Sequence, residues 1–401
     1  MLKFKKHGLL KPPTDEEISR MTAEELKQIY EAYHSAIDNA VDDPLDYGIE
    51  LAPWADADKC MESSSELWCF GGNRSSKTTY GARTAVSAAL KNEDARILCF
   101  SQDAVSSIRV QQKAVYEWLP RDLKEGTRSA TGYIKYSLKN GFTGDSLIIP
   151  HTNSIIAFHT YSQFLNNPGK FEGLEVGSME PTYLNLGIWL DEYLQGPDLV
   201  NTLRFRLATR DAKLLGTFTP INGVTEFVDG IIKGADTIED RNIDRFPDLA
   251  VKRVPYIQHS RKREAKIIYF HSDQNPFGGY PRLERDLKGA SENEILTRFY
   301  GIPTKMLAGQ FPMFRRSVNV MRHSDMMNTI RDCKCTLYQG IDPGAAKRWF
   351  AIWVAVDEDD NWYVYREWPD KSYGDWATMG KNNRSRPVSY THLTLPTKRI
   401  V

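Results

Sequence analysis

Leu67-Trp68-Cys69-Phe70-Gly71-Gly72-Asn73-Arg74-Ser75-Ser76-Lys77-Thr78 is the most informative segment of this 401-residue chain. Its first four residues are apolar and read as a short buried strand, and a helical pattern follows Thr78. Strand, glycine-bearing loop and helix in this order make a P-loop. In such a loop the glycines let the backbone turn so that successive N–H groups point at phosphate oxygens. The helix N-terminus adds the positive end of its dipole. Gly71, Gly72, Asn73, Arg74, Ser75, Ser76, Lys77 and Thr78 are therefore the candidate ATP-binding residues. The Lys77 ammonium would neutralise the β- and γ-phosphates, and the Thr78 hydroxyl would ligate Mg2+. Ser76 departs from the pattern, standing where the second glycine is usual.

About a hundred residues on, Leu186-Gly187-Ile188-Trp189-Leu190 is a second apolar run, ending in Asp191-Glu192. A carboxylate at the end of a buried strand is the place for a Walker B aspartate, which serves the Mg2+ shell. The adjacent Glu192 can orient or deprotonate the attacking water. Standing alone, this is only a strand with an acidic turn; its chemistry comes from company with the P-loop. A third run, Leu214 to Pro220, ends in Thr217-Phe218-Thr219-Pro220. Thr217 and Thr219 lie two apart and share a strand face. Near a γ-phosphate their hydroxyls would detect its loss; otherwise the run is an edge strand ended by proline.

The apolar runs Leu67–Phe70, Ile97–Ser101, Ser154–His159, Leu186–Leu190, Leu214–Thr219 and Ile267–Phe270 alternate with helical patterns. The alternation predicts an α/β fold, a P-loop NTPase domain with a mainly parallel sheet flanked by helices. Ahead of it, Thr22 and Glu25 form a capping-box pattern that opens a helix over 22–40, stopped near Asp42-Asp43-Pro44. Asp236 to Glu264 is polar and includes Arg261-Lys262-Arg263, and it reads as a solvated connector in preference to a DNA-contacting patch. After Gly309 the runs Thr336–Ile341, Trp349–Val356 and Trp362–Trp368 predict an antiparallel meander, its last two strands joined at Asp357–Asn361. The expected organisation is a helical segment over 1–60, the ATPase domain with its lid and connector over 61–310, a linker over 311–335, and a partial second domain over 336–384. The tail 385–401 resembles translated adapter sequence and is expected to be non-native.

Composition narrows the function. Lys plus Arg equals Asp plus Glu at 52 each, which excludes the global basicity of a protein that coats nucleic acid, so any DNA contact is local. Apolar residues at 41% and charged residues at 26% are ordinary for a globular chain, and 401 residues exceed what one core usually organises. The cysteines number five, an odd count, and Cys69 and Cys99 lie in apolar runs, which argues against a disulfide framework. Cys333 and Cys335 lack a second ligand pair for a metal. The N-terminus lacks a signal peptide's apolar stretch, and no segment reaches the roughly 18 apolar residues that span a bilayer, so no membrane association is expected.

Taken together, Gly-Gly-Asn-Arg-Ser-x-Lys-Thr (71–78), the strand end Ile188–Glu192 and Thr217-x-Thr219-Pro220 resemble the Walker A, Walker B and coupling motifs of the large subunit of tailed-phage terminases. Asp273-Gln274-Asn275-Pro276, and Arg298-Phe299-Tyr300-Gly301-Ile302-Pro303 leading to Gly309-Gln310-Phe311, are similar to that family's passage from ATPase to nuclease. The resemblance covers roughly residues 65–370. It implies a motor that translocates double-stranded viral DNA into a procapsid, with ATP and Mg2+ as cofactors. Lys77, Arg74 and Glu192 would be catalytic, Thr78 and Asp191 would serve Mg2+, and Thr217, Thr219 and Pro220 would couple hydrolysis to movement. It further implies the portal protein and the small terminase subunit as partners, a homo-oligomeric ring, and a place in the host cell cytoplasm at the procapsid portal. Arg74 is the nearest source of an extra positive charge. Arg204, Arg206 and Arg210 read as a solvated helix face, with service to a neighbouring subunit or to DNA as the alternative.

Tyr338-Gln339-Gly340-Ile341-Asp342-Pro343-Gly344 resembles the first strand of a ribonuclease-H-like nuclease, with Asp342 as its first ligand for Mg2+ or Mn2+. Two-metal cleavage needs several converging carboxylates. Beyond Asp342 only Glu367, ending the third strand, is at hand, and the family's later acidic residues would fall past position 401. ATP hydrolysis without DNA cleavage is the expectation. Two other readings share the nucleotide chemistry. A helicase or other P-loop ATPase would repeat an ATPase-like domain where the meander lies. A non-catalytic nucleotide-binding assembly subunit would be marked by the departure at Ser76.

Overall fold

The computed structural model describes residues 2–6, 8–10, 13–124, 134–171, 173–192, 197–261, 264–304, 321–342 and 350–368. The chain separates into two compact units, Met1–Ala308 and Gly309–Val401.

The first unit is built on a sheet of nine strands: β1 (Glu66–Gly71), β2 (Arg96–Ser101), β3 (Ser146–Ile149), β4 (Ser154–Thr160), β5 (Leu186–Asp191), β6 (Lys213–Phe218), β7 (Asp236–Asn242), β8 (Arg253–Ser260) and β9 (Ala265–Phe270). Their order across the sheet is β7-β8-β9-β1-β6-β5-β2-β4-β3. The six strands from β9 to β4 are mutually parallel, and β3, β7 and β8 add antiparallel margins. Each of the six runs predicted as strands lies at one of these parallel positions.

Parallel strands with both faces covered must be apolar throughout, and β1 shows why. Leu67 and Cys69 enter one core with Tyr80, Ala85 and Trp189. Trp68 and Phe70 enter the other with Ile188, Leu199, Leu203 and Phe218. The helix on the first face is α3 (Lys77–Lys91), which follows the loop directly. It is preceded in the chain by α1 (Ala23–Asp42) and α2 (Ala52–Glu62). Thr22 and Glu25 close the predicted capping box reciprocally, Glu25 N donating to Thr22 Oγ1 at 3.3 Å and Thr22 N to Glu25 Oε2 at 2.8 Å.

The expected connector over Asp236 to Glu264 is corrected: β7 and β8 lie there and extend the sheet. β7 is polar because it is the marginal strand with its side chains exposed, as an outermost strand permits. β8 hides its alternation of buried Val254 and Tyr256 among polar neighbours. Of the basic cluster, Arg261 pairs with Asp236 at 2.9 Å, and Lys262 and Arg263 lie outside the described residues.

The second unit contains a helix, His323–Asp332, within the stretch expected as linker. It also contains the antiparallel meander β10 (Thr336–Asp342), β11 (Phe350–Val356) and β12 (Trp362–Trp368). The tail 385–401 lies outside the described residues. All five cysteines are free, Cys60, Cys69 and Cys99 being buried. Among the described residues no helix is long and apolar enough to cross a membrane.

Candidate nucleotide-binding site

The loop after β1 is set by contacts from a distant part of the chain. Gly72 N donates to Phe270 O at 3.0 Å, and Asn73 N donates to Arg298 O at 2.6 Å. The carbonyls of Asn73 and Arg74 accept from Ser272 Oγ at 2.8 Å and Asn275 Nδ2 at 2.7 Å. A Cβ on Gly72 would lie 2.2 Å from Phe299 O, so only glycine admits the backbone of Arg298–Gly301 this close. Gly301, at φ +72°, is held to the same condition, since its Cβ would lie 2.6 Å from the backbone of Gly71. The residues Asp273–Pro276 and Arg298–Gly301, which the sequence groups as a passage toward a second domain, thus form the outer wall of the loop.

Three strand ends then meet the start of α3. β6 lies between β1 and β5, and its register places Thr217 directly beside Asp191. Neighbouring strands are about 4.8 Å apart, within reach of a short hydroxyl. Thr217 Oγ1 donates to Asp191 Oδ1 at 2.6 Å and accepts from Trp189 Nε1 at 2.8 Å. From the helix side, Thr78 Oγ1 donates to the same carboxylate at 3.1 Å. Tyr161, at the end of β4, donates its hydroxyl to the Asp191 carbonyl at 2.8 Å. Glu192 leaves the sheet through a left-handed residue, φ +63°, its N–H donating to Thr217 O at 2.8 Å. That turn puts its carboxylate 3.6 Å from Lys77 Nζ. Lys77 is buried and Glu192 partly exposed.

The electrostatics follow from burial. Asp191 is 2% exposed, and burial, with the charge of Glu192 beside it, pushes its carboxyl up to about 7. The hydrogen bond from Thr217, the Lys77 ammonium and Thr78 pull in the other direction. Burial also raises the Tyr161 hydroxyl, which keeps it a donor. A buried carboxyl held near neutrality beside a threonine hydroxyl is a hard oxygen donor set. It suits Mg2+, whose charge would ionise the acid.

Other sequence candidates fall elsewhere. Arg74 is exposed in the loop, at φ +57°. Arg204 is not a solvated face: it forks onto Glu66, at 2.5 and 2.8 Å, at the end of β1 opposite the loop. Arg210 likewise pairs with Glu175 at 2.6 Å and donates to Gly177 O. The Arg206 Nε is buried without a partner. Thr219 is buried one residue past β6, and Pro220 accepts from Gly223 N in the turn that follows. In the second unit Asp342 ends β10 opposite Phe350, and Glu367 pairs with Ile352 in β12. Among the described residues no group of three or more His, Cys, Asp or Glu is arranged to hold a metal ion.

Sequence reasoning missed Trp54, Tyr161, Ser272 and Asn275. Trp189 was read only as strand filling; its indole N–H, which a buried position obliges to find an acceptor, was the available signal.

No family model matches the chain, and no curated protein matches it. Solved structures similar to it are phage large terminases. One crystal form of the large terminase of a thermophilic bacteriophage is 12% identical, with 79% of this chain and 68% of that one covered at a TM-score of 0.45. A second form is 13% identical over 77% and 63% of the two chains, at 0.40. The same terminase in complex with ADP is 12% identical over 79% and 67%, also at 0.40.

Proposed function

We propose that this chain is an ATP hydrolase that drives the translocation of double-stranded viral DNA into a procapsid, as the large subunit of a terminase. The observation that carries the reading is convergence. Lys77 and Thr78 at the head of α3, Asp191 and Glu192 at the end of β5, and Thr217 on β6 come from three separate stretches and meet at hydrogen-bond or ion-pair distance. Phosphoryl transfer asks for such positioning and charge neutralisation more than for covalent chemistry.

In this reading Lys77 holds the β- and γ-phosphates, exchanging its contact with Glu192 for the nucleotide. Freed from the ammonium, the Glu192 carboxylate orients and deprotonates the attacking water. Thr78 and Asp191 would hold Mg2+, which bridges phosphate oxygens and offsets their charge when bound. Thr217 touches Asp191 directly, so a shift of that carboxylate is transmitted to β6 and to Thr219-Pro220 beyond it. Arg74 lies in the loop as a further source of positive charge. We propose the second unit as the start of a ribonuclease-H-like domain, with Asp342 serving a divalent metal ion. Double-stranded DNA, the portal, the small subunit and further copies of this chain are the partners that the motor reading requires.

Steady-state ATP hydrolysis by the purified chain tests the proposal, comparing the parent with Lys77→Ala and Glu192→Gln. Each substitution is expected to lower turnover by on the order of a hundredfold or more, with Glu192→Gln retaining nucleotide affinity. Equal turnover by Lys77→Ala and the parent would remove the enzymatic claim.

A further inference from the structure

Ser76 stands where a P-loop usually carries glycine, and its φ of +71° is one that glycine adopts without strain. A serine held there against its backbone preference invites the question of what its side chain does. The hydroxyl is fully engaged. It accepts from the indole Nε1 of Trp54 at 3.0 Å and donates to the carbonyl of Ser75. Trp54 is buried at the start of α2, and α2 is locked onto α3 by Asp58, which receives both arms of Arg83, at 3.1 and 2.8 Å, and the hydroxyl of Tyr80. Trp54 meets Trp118 edge-on, with ring centroids 5.7 Å apart. Trp54, Trp118, Ile49, Phe277, Ser76 and Thr79 line one largely apolar cavity of about 310 Å3 beside the loop.

We propose that Ser76 and Trp54 form a latch that fixes the aromatic wall of this cavity against the phosphate loop, making both of them positioning residues for the nucleoside part of a bound nucleotide. The assignment rests on the reading of the loop as a nucleotide site. It follows from the division of labour within the loop: Lys77 and Thr78 face Glu192 and Asp191, whereas Ser76 faces Trp54. A motif-restoring glycine at 76 relieves the backbone and is ordinarily an improvement. Here it would remove the acceptor of a buried indole N–H and release the wall.

The test is calorimetric titration of the full chain with ATP-γ-S, ADP and inorganic tripolyphosphate, which has no nucleoside, each with Mg2+. The proteins are the parent, Ser76→Gly, Ser76→Ala, Trp54→Phe and the Ser76→Gly/Trp54→Phe pair. Each single variant is expected to weaken both nucleotides about three- to tenfold, the net worth of one hydrogen bond, and to leave tripolyphosphate within about twofold. The double variant should bind nucleotide no worse than either single one. Equal weakening of tripolyphosphate, unchanged nucleotide affinity, additive losses in the pair, or a parent-like Ser76→Ala beside a weakened Ser76→Gly would each overturn the latch. A parent that binds no nucleotide would overturn the reading of the site instead.

Discussion

Asp191 is the residue whose chemistry is most altered by its place. Its carboxyl is pushed up to about 7 from an ordinary 3.8, so the folded chain holds a proton there that the unfolded chain gives up near pH 4. Stability from this group is therefore fully present below about pH 4 and lost as pH rises through 7. Asp191→Asn should flatten the fall in thermal stability of the nucleotide-free protein between pH 5 and 8, and raise its midpoint at pH 8. Differential scanning across that range checks it; an unchanged slope would show that Asp191 is ionised throughout. The residues that carry this chemistry were legible because an acid ending an apolar run, or a lysine after glycines, departs from what its neighbours require. Thr217 was legible as a hydroxyl near the site. Its bond to Asp191 was not, because that depends on β6 lying between β1 and β5, an order no local pattern encodes.

Among the elements, α2 was the least legible. Its residues show no strong apolar stripe, and its work is done by a buried pair whose members lie 25 positions apart. Asp58 holds Arg83, whose side chain is 6% exposed, through two hydrogen bonds, and it holds Tyr80 through a third. Removing the acid leaves an unpaired guanidinium between two helices. Asp58→Ala is expected to destabilise the protein by about 3 kcal/mol, and Asp58→Ala with Arg83→Met by less than that. Urea denaturation of the single and paired variants measures the difference. A double variant no more stable than the single one would mean that the pair does not join α2 to α3. By contrast, the parallel strands were legible nearly end to end. Burial on both faces leaves a sequence no freedom for polar residues, and a run of apolar ones between turn formers is what remains.

For the molecule as a whole, the misread stretch was Asp236 to Glu264, and the reason is physical. A strand at the margin of a sheet is free to be polar, so its composition matches that of a loop. That freedom has a use. β7 leaves one row of backbone donors and acceptors without a neighbouring strand, a surface on which another copy of the chain could polymerise. Its side chains include Asp236, Glu239, Asp240 and Arg241, and like charges meeting across such a junction repel. Replacing Glu239 and Asp240 by threonine should leave folding intact while raising light scattering in concentrated, nucleotide-free solution, and added salt should make the parent follow the same course. A stretch that reads as mere connection is, on this view, what keeps a motor subunit soluble until its proper assembly begins.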